Sequence, residues 1–204
     1  KLIFWELQLE NINDAGMSSI LESQKTEANS QFGKFIERNY ENWFEPKANR
    51  PVLSHTLFKE LVVPEIIKKD KPVLFVVIDN LRYDQWEVLE NVVSNHYKLE
   101  KEVPYYAILP TATQYARNAI FSGLLPVEME KQFPEYWKND TDEGGKNMFE
   151  AEFLSAQLKR LGLNIKQDYF KITNLASGRK LVENFKSLKN NDLVSVSLDT
   201  KSLF

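Results

Sequence analysis

Cysteine is absent from the 204 residues. That excludes disulfides and thiol catalysis, removes the softest zinc ligands and fits a reducing compartment. Histidine is scarce: His55 and His96 are the two, and neither has a partner at metal-ligand spacing. His96 ends an expected helix, where a positive end-charge is favourable, and His55 follows Ser54 at a helix start. Both read as structural, which leaves no obvious imidazole for a dinuclear zinc site. No run of about eighteen apolar residues occurs, so no membrane-spanning helix is expected. No signal-peptide pattern opens the chain. The net charge is −3, so no global basic footprint points to duplex nucleic acid, and only a local basic pocket is left open. Internal repeats and low-complexity tracts are missing too.

What is present is a hydrophobic fraction of 43%, enough for a real core. The most telling stretch is Val73-Leu74-Phe75-Val76-Val77-Ile78 followed by Asp79. A β-branched and aromatic run ending on an acid reads as a central parallel strand, buried on both faces. Ligands of open α/β sheets bind outside the carboxyl ends of the strands, which is where Asp79 falls. Further strands are expected at 104–109, 168–172 and 193–198. Helices are expected at 57–67, 84–96, 114–122, 148–161 and 176–189, with an irregular stretch at 124–147. Pro64 is expected to kink or stop the first of these. Alternating strands and helices imply an α/β fold, a mostly parallel sheet sandwiched by helices. Apolar residues at helical spacing in 1–45 imply a helical segment before it, with a turn or linker at 46–51. The expected division is a helical linker region at 1–69 and an α/β domain at 70–204. The opening on Lys1 and the strand near the C-terminus suggest a piece of something longer, with an incomplete sheet.

Thr113 reads as an N-cap and Gly123 as the residue just past the helix end. A hydroxyl at a helix N-terminus beside a strand end is well placed for an anion. Asp79 alone can simply cap a turn, and Thr113 alone can simply cap a helix. Together they form a nucleophile-and-metal pair, because a metal can activate a coordinated hydroxyl. Their oxygens should then lie within roughly 6 Å, since zinc-bound oxygens sit about 2 Å from the ion. Arg82 and Arg117 are candidate phosphate ligands or plain surface arginines. Arg117 reaches Thr113 only by folding back one turn. The loop Asn139-Asp140-Thr141-Asp142-Glu143-Gly144-Gly145-Lys146 is not an EF-hand: its first position is Asn and the helix pair is missing. It is a substrate-facing loop or a plain turn.

Three segments resemble a known family. They are Val76-Val77-Ile78-Asp79-Asn80-Leu81-Arg82-Tyr83-Asp84-Gln85-Trp86, Leu109-Pro110-Thr111-Ala112-Thr113-Gln114-Tyr115-Ala116-Arg117 and Tyr136-Trp137-Lys138-Asn139-Asp140-Thr141-Asp142-Glu143-Gly144-Gly145-Lys146-Asn147. The chain resembles the PglZ domain of the alkaline phosphatase superfamily, and within it the effector region of PorX-type response regulators of Bacteroidetes. The resemblance implies a metal-dependent phosphohydrolase. Asp79 and Thr113 would bind the metal, with two zinc ions in a complete domain and a partial site here. Thr113 would be the nucleophile, with Thr111 as the alternate. Asn80, Arg82, Arg117 and Lys146 would contact substrate. The superfamily's later Asp and His stations find no match after Asp192; Asp199 is acidic and near a strand end, but no His follows it.

The implied function is a phosphodiesterase on nucleotide-like or oligonucleotide phosphodiesters, serving as the output of a two-component response regulator. A receiver domain would precede it, and the setting would be the cytoplasm and the control of type IX secretion. The rival is a catalytically vestigial output module that binds a protein partner, a second copy or a secretion regulator. A phosphomonoesterase is the third reading.

Overall fold

A computed structural model describes residues 2–9, 12, 14–45, 49–68, 71–139 and 141–199. In chain order the elements are α1 Leu2–Leu9, α2 Ala15–Asn39, α3 Ser54–Leu57, α4 Val63–Lys68, β1 Val73–Asp79, α5 Tyr83–Val93, α6 Thr113–Ser122, α7 Pro126–Gln132, α8 Glu150–Arg160, β2 Gln167–Ile172, α9 Leu175–Asn184 and β3 Leu193–Asp199. They fall into two compact units. One holds 1–51 and 81–102, the other 52–80 and 103–204.

The first unit is helical. The Asp14 carboxylate accepts from the amides of Gly16 and Met17 and so starts α2. Lys25 on α2 pairs with Glu6 on α1. Aromatic rings close the far end of α2, where Phe35 and Tyr40 pack on Trp43. The turn expected at 46–51 lies partly outside the described residues.

The second unit carries the sheet, ordered β1-β3-β2 and parallel throughout. Helices lie on both faces, as the alternating pattern implied. On one face Phe75 of β1 meets Phe58 and Phe121, with ring centroids 5.5 and 6.1 Å apart. Phe121 in turn meets Tyr169 of β2 at 5.5 Å. Phe58, Phe121 and Phe153 are fully buried, and each such burial contributes about 1.5–3 kcal/mol. The other face is covered by α9 and the 3-10 turn Phe185–Asn190, through Leu181 and Leu188 against Ile172, Val194 and Val196.

Two expectations about strands are corrected. β1 is not central: β3 is, and β1 pairs with β3 alone among the described strands. Leu74 and Val76 are 43% and 44% exposed. An unbroken apolar run cannot say whether its second face is covered, because strand propensity is the same in both cases. The strand expected at 104–109 is reduced to one bridge, Leu53 to Tyr106. Pro104 and Pro110 bracket it, and proline cannot donate to a ladder. Two helical details differ as well. The stretch 124–147 contains α7, begun by Pro126 at its first position. Around Pro64 the helix does not stop; a π turn, Phe58–Val62, precedes it, with the Val63 amide on the Phe58 carbonyl, and α4 continues.

α6 and α8 fix each other. Gln157 of α8 donates to the carbonyls of Ile120 and Phe121, at 3.1 and 2.7 Å. These are orphan acceptors at the end of α6. Gly123 follows with φ 65°, as expected for the residue past the helix end. Gly123→Ala should cost about 1–3 kcal/mol of stability through the left-handed backbone. A Cβ there also collides with the Gln157 side chain. Urea denaturation checks it, and an unchanged midpoint would show that neither constraint matters.

Candidate active site at the carboxyl edge of the sheet

Asp79 is the last residue of β1, in register with Asp199 at the end of β3. The chain leaves the sheet at Asn80 with φ 61°. Asparagine tolerates this left-handed backbone better than most side chains, which lets the strand end abruptly on its acid.

Thr113 meets Asp79 here. Its hydroxyl donates to Asp79 Oδ2 at 3.2 Å, well inside the expected 6 Å. One detail is corrected: Thr113 is the first residue of α6, and Ala112 holds the cap position. The reason is chemical as well as geometric. A capping hydroxyl is occupied by helix amides, whereas one position later it is released to face the strand end. Arg117, one turn on, folds back to the same point. Its Nη1 lies 2.9 Å from Asp79 Oδ2, and its Nε donates to Glu150 Oε1.

Behind Arg117 sits a buried polar network. Glu150 opens α8 with its side chain 1% exposed, against 7% for Arg117. Tyr169 of β2 donates to Glu150 Oε2 at 2.6 Å, and Lys171 Nζ lies 3.2 Å from the same oxygen. Lys171 also donates to the Asn147 carbonyl. The Asn147 amide donates to the Thr113 carbonyl at 3.1 Å and to Asn118 Oδ1 at 2.9 Å. Asn118 donates to the Lys146 carbonyl at 3.1 Å. The end of the 139–147 loop is thus bolted to α6.

Burial, and next the Glu150 charge, push the Tyr169 phenol above its ordinary value of 10.0. Folded Tyr169 therefore keeps its proton where the unfolded chain has lost it. Its contribution to stability is intact below that ordinary value and drains away as pH rises toward the higher folded one. Wild-type protein should lose stability more steeply than Tyr169→Phe in this alkaline window. Denaturant midpoints across that window measure it, and parallel curves would contradict the shift.

The other candidate residues lie as follows. Asn80 is exposed beside Asp79, and Thr111 is exposed two residues before α6. Arg82 belongs to the helical unit, where Nε and Nη2 bond Asp84 at 3.0 and 2.7 Å. Lys146 Nζ turns into its own loop, onto the carbonyls of Asn139, at 2.5 Å, and Asp142. Asn118, Asn147, Glu150, Tyr169 and Lys171 were not singled out from the sequence. A signal existed for two of them: Gln167, Tyr169 and Lys171 alternate along one side of β2, and polar groups on a covered strand need partners.

The oxygens of Asp79 and Thr113 are of the kind that would hold a divalent ion. Catalytic zinc takes three protein ligands, and no group of three His, Cys, Asp or Glu gathers among the described residues. The donor type fits a metal; the number falls one short.

Comparison with known proteins finds two family matches. Residues 1–44 match the PorX response regulator linker domain. Residues 57–200, more than half of the chain, match the BREX system PglZ alkaline phosphatase-like domain. No curated protein matches the chain. With the larger match covering more than half of the residues, the chain belongs to the PglZ alkaline phosphatase-like family, here behind a response-regulator linker.

Proposed function

We propose that the domain is a phosphohydrolase effector of a response regulator, cleaving nucleotide-like or oligonucleotide phosphodiesters with Thr113 as nucleophile. One observation carries the reading: the Thr113 hydroxyl, at the start of α6, donates to Asp79 at the strand end. Asp79 is within reach to take the hydroxyl proton. The start of α6 faces incoming phosphate, and the helix dipole favours its charge. Thr113 Oγ1 then attacks phosphorus in line with the departing alkoxide, giving a phospho-threonine that water cleaves. Zinc, when bound through Asp79 and Thr113, would supply charge that lowers the hydroxyl pKa. The segment 1–69 would link a preceding receiver domain to the enzyme at 70–204. The cytoplasm and the control of type IX secretion are the proposed setting. No helix among the described residues is long and apolar enough to cross a membrane.

The test is hydrolysis of bis-p-nitrophenyl phosphate by the full-length protein with added zinc. Zinc-dependent turnover supports the reading. Its absence favours the rival, a protein-binding output module with a vestigial site, to which one observation speaks: Arg117 is paired with Asp79, as a cation would be. Residues 1–204 alone should bind zinc weakly and turn over slowly or not at all, given the donor count.

A further inference from the structure

Six residues close a ring on Thr113. From its hydroxyl the path runs to Asp79, Arg117 and Glu150. From Glu150 it returns through Lys171 and Asn147 to the Thr113 carbonyl. The charges alternate around it: Asp79 minus, Arg117 plus, Glu150 minus, Lys171 plus. Glu150 is the only one of the four with its side chain fully enclosed, at 1% exposure. It also receives three contacts, from Arg117, Tyr169 and Lys171.

We infer that Glu150 is a positioning residue for Thr113, acting through Arg117 on the hydroxyl side and through Lys171 and Asn147 on the backbone side. The physical case has two parts. A fork-shaped guanidinium has many orientations when unpaired, and a fixed carboxylate on Nε selects the one that directs Nη1 to Asp79. A buried ionic group is also expensive to keep, so its retention points to a task that an apolar residue could not perform. Glu150 does not face the reacting atoms. It sets where they stand.

This inference rests on Thr113 as the nucleophile, so the test has one arm that needs turnover and one that does not. In the full-length protein, Glu150→Gln keeps the shape and removes the charge. With turnover, kcat should fall about 100-fold with KM little changed, the size of effect that a small misplacement of a reacting group produces. In an Arg117→Gln background, Glu150→Gln should cost nothing further on the hydroxyl side, because the two act in series. Full additivity of the two effects, or a change in KM alone, overturns the inference. Without turnover, the reading of Thr113 fails by itself, and amide hydrogen exchange decides about Glu150. Glu150→Gln should speed exchange in 113–117 at least tenfold while amides in β3 keep their rates. Equal rates in both variants at 113–117 overturn the positioning role. If Glu150→Gln does not fold, Lys171→Met opens the same ring from its exposed side and is scored by the same exchange measurement.

Discussion

Thr113→Val should abolish phosphodiester turnover, by at least about 1000-fold in kcat, while leaving the fold intact. Valine matches threonine in shape and lacks the hydroxyl that would attack phosphorus. The cost to stability should be small. Thr113 is only partly buried, it is not the cap of α6, and its side chain loses a single bond to Asp79. Loss of such a bond is worth about 0.5–1.5 kcal/mol. Circular dichroism and denaturant midpoints, run beside the bis-p-nitrophenyl phosphate assay, separate the two effects. Retained activity would move the role of nucleophile to Thr111, which stands two residues earlier and outside the helix.

The largest stability effect should come from Arg117→Met. Methionine fills part of the volume and leaves the Glu150 carboxylate buried beside Lys171 and Tyr169 only. Removing one partner of a buried pair costs about 3–5 kcal/mol when the other charge is left uncompensated; Lys171, 3.2 Å from Glu150, offsets part of the charge, which puts the expected cost at about 3 kcal/mol. Adding Glu150→Gln to the same chain should return part of that loss, since the one fully enclosed charge is then gone and Lys171, which it leaves, still reaches solvent. Equilibrium urea unfolding of both single variants and the double one measures it. A double variant as unstable as the sum of the singles would show that shape, and not charge, holds this corner together.

Much of this was legible in the chain. The apolar run 73–78 and its terminal acid located β1 and put Asp79 at the sheet edge, because a strand has to deliver its last side chain there. Gly123 gave the end of α6, since the left-handed position selects glycine. The resemblance at Asp79 and at Pro110-Thr111-Ala112-Thr113 anticipated the family found over 57–200. What stayed hidden depends on distant neighbours. Whether Leu74 and Val76 are covered is decided by which strand lies beside β1. Tyr105-Tyr106-Ala107-Ile108-Leu109 has strand-like residues, but two prolines and a lone partner at Leu53 keep it from forming a ladder. Glu150 was not singled out, because an acid in the first turn of a helix is common on surface helices. Its burial follows from α6 and β2 closing over it, and no local pattern encodes that.

The bare side of β1 has a practical consequence. Among the described residues β1 pairs with β3 alone and exposes Leu74 and Val76, which offers another strand a template for addition. The outward positions of β1 are Leu74 and Val76, neither of which carries a charge to repel it. Residues 1–204 on their own are therefore expected to self-associate increasingly with concentration, and a lower protein concentration should protect them better than a change of pH, because Leu74 and Val76 have no group to titrate.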